Sequence, residues 1–95
     1  MLYEWDEAKR KANKEKHGYD LVDGDLVYES PDKLTLSSNR PHESRWIDIA
    51  EVGGEVLVLT LTYTHRGEAV RFISLRKASR KERSLYYAQN SQNDI

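Results

Sequence analysis

Trp5, Ala8 and Ala12 recur at helical spacing in the stretch WDEAKRKANKEKHG, residues 5 to 18, and leave lysines, arginines and glutamates on the other side. The pattern predicts an amphipathic helix of about three turns. Asp6 can cap its start, Gly18 suits the left-handed residue that stops it, and Lys16 and His17 lie where positive charge favours the helix dipole. Leu21, Val22, Leu26 and Val27 predict a short second helix, opened by Asp20 and weakened by Gly24. Beyond the Ser30-Pro31-Asp32 turn the period changes to two. Leu34 and Leu36 alternate with Thr35 and Ser37, the loop SNRPHE follows, and Trp46, Ile47 and Ile49 mark the next strand. Gly53-Gly54 predicts a hairpin turn, and VLVLTLTY is apolar on both faces, as a central strand is. Arg66-Gly67-Glu68 makes another turn, Val70 to Leu75 a further strand, and Ser79 to Glu82 spells the S-x-x-E capping box of a last helix. Leu2 to Glu4 can add a short first strand.

These elements predict an α+β fold, a small antiparallel sheet with two N-terminal helices and a C-terminal helix, packed as one domain over residues 1–95. Helices on one face of such a sheet would leave the other face, or the strand ends, free for a partner.

Composition narrows the class. Charged residues at 33% and hydrophobic ones at 38% suit a folded soluble domain rather than a disordered tail. No cysteine is present, which excludes disulfides and thiolate-bound zinc and suits a reducing, cytoplasmic setting. The longest apolar run, at 56 to 61, is too short to span a bilayer, and the amino terminus lacks a signal peptide's apolar stretch. No membrane association is expected.

The net charge of −1 conceals an uneven distribution. Residues 19 to 65 carry three basic and nine acidic groups, whereas 66 to 83 carry seven basic and two acidic. The carboxyl-terminal third is the part that attracts anions. Three histidines, at 17, 42 and 65, lack the i, i+4 spacing of a zinc site and have no acidic pair beside them, so neither a metal nor a cofactor is expected. Nucleophile elbows, phosphate-binding glycine loops and basic recognition helices are equally lacking.

Arg71 on a strand, with Arg76 and Lys77 just before the capped helix, can converge on an anion near that helix's free N–H groups. Arg66 in the preceding turn and Arg80 in the first helical turn add to the field. The competing reading pairs Arg71 and Arg76 with Glu82, or with the acidic middle of the chain, as structural salt bridges. His17 closes its helix. It joins a site only if that helix end meets the arginines. Tyr63 and Tyr86 are either ligand-contacting aromatics or core residues.

Trp5, Asp6, Lys9, Asn13, Lys16, His17 and Gly18 form the pattern W-D-x-x-K-x-x-x-N-x-x-K-H-G. Arg45 leads a strand, Tyr63, Thr64 and Arg66 give Y-T-x-R, and residues 71 to 78 read R-x-I-S-x-R-K-A, followed by Glu82, Arg83 and Tyr86. In order and spacing these blocks resemble the BrnT toxin family over nearly the whole chain. Gly24 stands where the family tends to place alanine, and the small glycine that usually closes the Arg45 strand is replaced by Ala50 or shifted to Gly53. The resemblance implies a RelE-like fold, metal-independent ribonuclease activity that stops translation, and a cognate BrnA-like antitoxin that neutralises the toxin in a hetero-oligomer. DNA would be met only indirectly, through the antitoxin. On this reading Arg71, Arg76 and His17 are the catalytic candidates, and Arg45, Arg66, Lys77, Arg80 and Tyr63 the RNA-binding ones. A rival from another class uses the same basic face in a non-catalytic protein- or nucleic-acid-binding module.

Overall fold

The apolar run in the second half of the chain becomes the centre of a sheet. In the computed structural model, which describes residues 1–40, 43–54 and 57–92, strand β4 (Val58–Arg66) lies between β3 (Glu43–Glu51) and β5 (Ala69–Lys77). β2 (Leu34–Arg40) forms one edge and β1 (Leu2–Glu4) the other, in the order β1-β5-β4-β3-β2. Four strands form the expected antiparallel meander. The expected all-antiparallel sheet is nevertheless corrected, because β1 pairs with β5 in parallel, Leu2 to Glu4 against Ala69 to Arg71. The helices carry the chain from β1 across to β2 at the far edge, and the meander brings it back, so that β5 arrives beside β1 running in the same direction.

Helix α1 (Glu7–His17) begins as predicted: Asp6 Oδ1 accepts from the amides of Ala8 and Lys9. It ends at Gly18, whose φ of 81° needs no Cβ-bearing residue and whose amide donates to Lys14 O at 2.9 Å. The predicted second helix is shorter than expected. It is a 3-10 turn (Leu21–Asp23) running into five residues of α-helix, α2 (Gly24–Tyr28). Gly24 here is a packing requirement. A Cβ built on it would lie 2.8 Å from Leu61 Cδ1 and 2.9 Å from Phe72 Cδ2.

The loop SNRPHE is also shorter than expected, since β2 continues to Arg40 and β3 starts at Glu43. Pro41 and His42 lie outside the described residues. Gly53 and Gly54 form a turn at the end of β3, as the sequence reading placed them.

The core gathers Leu21 and Val27 from the helical segment with Ile49, Leu61, Tyr63, Phe72 and Leu75 from the sheet, all 4% exposed or less. Helix α3 (Arg80–Gln92) corrects the expectation that one sheet face stays free. Its Glu82 bonds to Thr60, whereas α2 packs on Leu61, the next residue of β4 and so on the opposite face. α3 covers only the Thr60 end of its face. Thr62, Arg71 and Ser74, further along it, are half-exposed.

Candidate active site

One irregularity in β5 decides where its arginines point. Thr62 pairs with Ser74 and Tyr63 with Phe72, so Ile73 is an extra residue, a β-bulge. Residues five apart on a regular strand face opposite ways. With the bulge, Arg71 pairs with Thr64 and Arg76 with Thr60, two residues of one β4 face, and the two arginines come to the same side. They do not converge on one anion. Four residues of β4, on the order of 13 Å, separate their partners, and each is held by its own carboxylate.

Arg76 is gripped firmly. Its Nη1 and Nη2 donate to Glu82 Oε1 and Oε2 at 2.8 and 2.9 Å. Glu82 Oε1 also accepts from Ser79 N at 2.8 Å and Thr60 Oγ1 at 3.0 Å, while Ser79 Oγ accepts from Glu82 N at 3.1 Å. The predicted capping box thus forms and doubles as a clamp joining β4, β5 and α3. The Arg76 hydrogen bonds pull the Glu82 carboxyl down to about 2. Arg71 is held more loosely, by one contact of 3.4 Å to Glu4 Oε1.

β1 covers only the first three residues of β5, leaving the edge of the strand open further on. α1 fills that gap. Asn13, 6% exposed, donates from Nδ2 to Leu75 O and Tyr19 O, both at 2.9 Å, and its Oδ1 accepts from Leu75 N at 3.1 Å. One carboxamide thereby satisfies both outward backbone groups of Leu75, as a paired strand would. Sequence reasoning quoted Asn13 in a motif but gave it no role. Its signal was an asparagine inside a helix, where it is intrinsically disfavoured unless its amide has work elsewhere.

The docking creates a cleft of about 220 Å³ lined by Lys9, Ala12, Asn13, Lys16, His17, Ile73 and Ser74. The motif in the first helix and the motif in the last strand, some sixty residues apart in sequence, form its two walls. His17 lies at the end of one wall. Burial lowers its pKa, and the positive charges of Lys16 and Arg76 lower it further. Its imidazole is therefore held neutral at a pH where a free histidine begins to protonate. His17 meets the Arg76 end of β5 but not Arg71. A larger groove, about 320 Å³, on the other flank of α1 is lined by Glu7, Arg10, Lys11, Lys14, Glu15 and Asp20. Its three cations face three carboxylates, with Arg10 Nε bound to Asp20 Oδ1 at 2.8 Å, so it offers no net attraction to phosphate.

The other candidates are scattered. Tyr63, expected as an RNA contact, is 4% exposed, and its hydroxyl donates to Asp48 Oδ1 at 3.1 Å. Burial, then Asp48, raises its pKa well above the usual tyrosine range, so it is a core residue and presents no ring to RNA. Tyr86 is likewise core, at 5%. Lys77 and Arg80 are exposed at the end of β5 and the start of α3, and Arg66 is exposed at the end of β4, 3.9 Å from Glu4. Arg45 is half-buried on β3, opposite Ser38.

Asp48 was also missed. It is fully buried and accepts from Thr35 Oγ1 at 2.7 Å and from Tyr63. Its Oδ2 receives no regular hydrogen bond, but Lys33 Nζ stands 2.8 Å away, 4.0 Å above the Tyr28 ring. The ion pair neutralises the carboxylate, so this cluster belongs to the core. Among the described residues no three His, Cys, Asp or Glu side chains gather as metal ligands would, and no helix is long and apolar enough to cross a membrane.

The family model described as ribonuclease toxin, BrnT, of type II toxin-antitoxin system matches residues 5–82. The chain belongs to the BrnT family. No individual curated protein matches it. The BrnT match runs from Trp5, at the foot of α1, to Glu82, the carboxylate that clamps Arg76, and so contains both walls of the cleft. Membership of the BrnT family makes the chain a ribonuclease toxin with an antitoxin partner.

Proposed function

We propose that this toxin cuts RNA without a metal, in the cleft between α1 and β5, and that the cuts stop translation. The observation that carries the reading is that two BrnT-like blocks distant in sequence line one cleft of cationic character, with His17, whose pKa burial lowers, at its end. Metal-free cleavage needs a base to take the 2′-hydroxyl proton as that oxygen attacks phosphorus, positive charge for the phosphorane-like transition state, and a proton, returned by the imidazolium so formed or by water, for the 5′-oxygen as the P–O5′ bond breaks to leave a 2′,3′-cyclic phosphate. His17 is the base. Lys9 and Lys16 supply charge directly, and Arg76 supplies it as a fixed field, since the bidentate pair with Glu82 holds its guanidinium in place. Arg71, Arg66, Lys77 and Arg80 hold flanking phosphates on the exposed surface. The RelE-like kinship is part of the same reading. So is the partner, a BrnA-like antitoxin that binds DNA through its own domain and covers the basic surface, in the cytoplasm.

The test is purified free toxin with single-stranded RNA in the presence of a chelator. Wild type should cleave. His17→Ala should lower cleavage per folded molecule by about 10²-fold or more. Binding without cleavage by the wild type would instead support a non-catalytic module using the same basic face, a reading that the full engagement of Arg76 with Glu82 favours.

A further inference from the structure

We infer that the fork where β3 and β4 part is a stacking subsite for one base of the single-stranded RNA that the α1–β5 cleft cuts; this rests on the ribonuclease reading above. The β3–β4 ladder runs from Glu51 opposite Val58 to Trp46 opposite Tyr63 and stops there, although both strands continue, one back to Glu43 and the other on to Arg66. Past that point Thr64 Oγ1 donates to Ser44 O at 2.7 Å, a side chain bridging strands that no longer pair. The opening has a volume of about 410 Å³ and is lined by Ser44, Trp46, Thr64, His65 and Arg66.

Its chemistry selects the ligand. Trp46 is half-buried and His65 exposed. The two project to the same sheet face, because Trp46 lies opposite Tyr63, two residues from His65. Tyr63 meets the His65 ring edge-on, with centroids 5.7 Å apart and planes at 88°, which helps to orient that ring from beneath. Two aromatic faces accept any base by stacking. Arg66, with 59% of its side chain exposed and only a 3.9 Å contact to Glu4, can turn to the adjoining phosphate. Among the described residues no carboxylate lines the opening. An acidic peptide would find charge there, but it would make no use of the rings. Along β4 the fork at Thr64 is two residues, about 7 Å, from Thr62, the partner of cleft residue Ser74; the rings lie on the opposite sheet face from Thr62 and Ser74, so a strand serving both crosses the open fork, its phosphate at Arg66 on the cleft's face and its base on the other.

Fluorescence titration with a 2′-O-methyl RNA oligonucleotide of about ten nucleotides, which cannot be cut, tests the subsite whether or not His17 is the base. Quenching on binding is expected in Trp5→Phe, which leaves Trp46 as the sole tryptophan, and is expected to vanish in Trp46→Phe. His65→Ala and Arg66→Ala, both at exposed positions and needing no core change, should each weaken binding about 10-fold. In cleavage assays they should raise KM and leave kcat nearly unchanged. Unaltered affinity and KM in both variants, with cleavage intact in the wild type, would overturn the subsite and leave the ribonuclease reading standing. Variants that lose binding to the purified antitoxin but not to the oligonucleotide would also overturn it. Absence of both binding and cleavage in the wild type would sink the ribonuclease reading itself.

Discussion

The two ends of β5 treat the same side chain in opposite ways. At one end Arg76 makes two short hydrogen bonds to a carboxylate that is itself held by Ser79 and Thr60, with the Glu82 side chain only 16% exposed. At the other, Arg71 reaches Glu4 through a single 3.4 Å contact, and that glutamate is 38% exposed. A bidentate pair on a mostly buried carboxylate is held in one geometry, whereas a single long contact to a more exposed carboxylate gives up its guanidinium to a stronger anion at little cost, although Arg71 itself is 26% exposed against 33% for Arg76. Arg76 therefore acts through its position and field, and Arg71 is the one suited to leave its partner for a phosphate.

The largest effect should follow from breaking the firm end. Arg76→Ala leaves Glu82 charged and half-satisfied, and should lower stability by about 2 kcal/mol and Tm by about 10 °C. Arg76→Lys should recover part of that loss, since it keeps the charge without the fork. Denaturant unfolding of the two variants against wild type checks this, and an unchanged midpoint in Arg76→Ala would erase the contrast between the ends.

Acid comes next. The folded pKa of Glu82 is about 2 against an ordinary 4.5, so its contribution is complete above pH 4.5 and disappears as pH falls towards 2. After allowance for solvent screening the loss should be on the order of 1 to 2 kcal/mol. Glu82→Gln, already neutral, should show a flatter profile in the same window when both are unfolded by denaturant at successive pH values.

A smaller effect sharpens the field argument. The acid limb of kcat/KM should lie below the ordinary histidine value of 6.5, because neutral His17 is the active form and its folded pKa is lowered. Arg76→Gln removes one of the charges that lower it and should move the limb to higher pH, though not fully, because burial remains the main cause. Arg71→Ala should leave the limb in place. A limb that shifts equally in both variants would contradict the assignment of the field to Arg76.

The smallest stability change belongs to the loose end. Arg71→Ala should cost less than about 1 kcal/mol, while the salt dependence of RNA affinity becomes about one contact shallower. Titrations at several ionic strengths measure that slope.

Much of this architecture was legible in local chemistry. Asp6, Gly18 and the Ser79-to-Glu82 box act through groups within a few residues of themselves, so caps and helix ends were predictable from adjacent letters. Strand alternation likewise located the meander and its core. The parallel placement of β1 was not legible, because three residues carry no signal about direction and the choice depends on how the helices carry the chain across to β2 and the meander returns it to β5.

The site divides the same way. Local pattern supplied the residues: a basic helix ending in Lys16-His17, and a strand and turn carrying Arg71 and Arg76. The tertiary structure chose among them. An extra residue at Ile73 set both arginines on one face, Glu82 and Glu4 occupied them at separate places, and Asn13 fastened α1 along the open edge of β5 so that His17 felt Arg76. Each of these depends on contacts between residues distant along the chain. The order of residues determined which groups were available, but which of them share a cleft is set by register and edge packing, energies that exist only once the strands and helix have met.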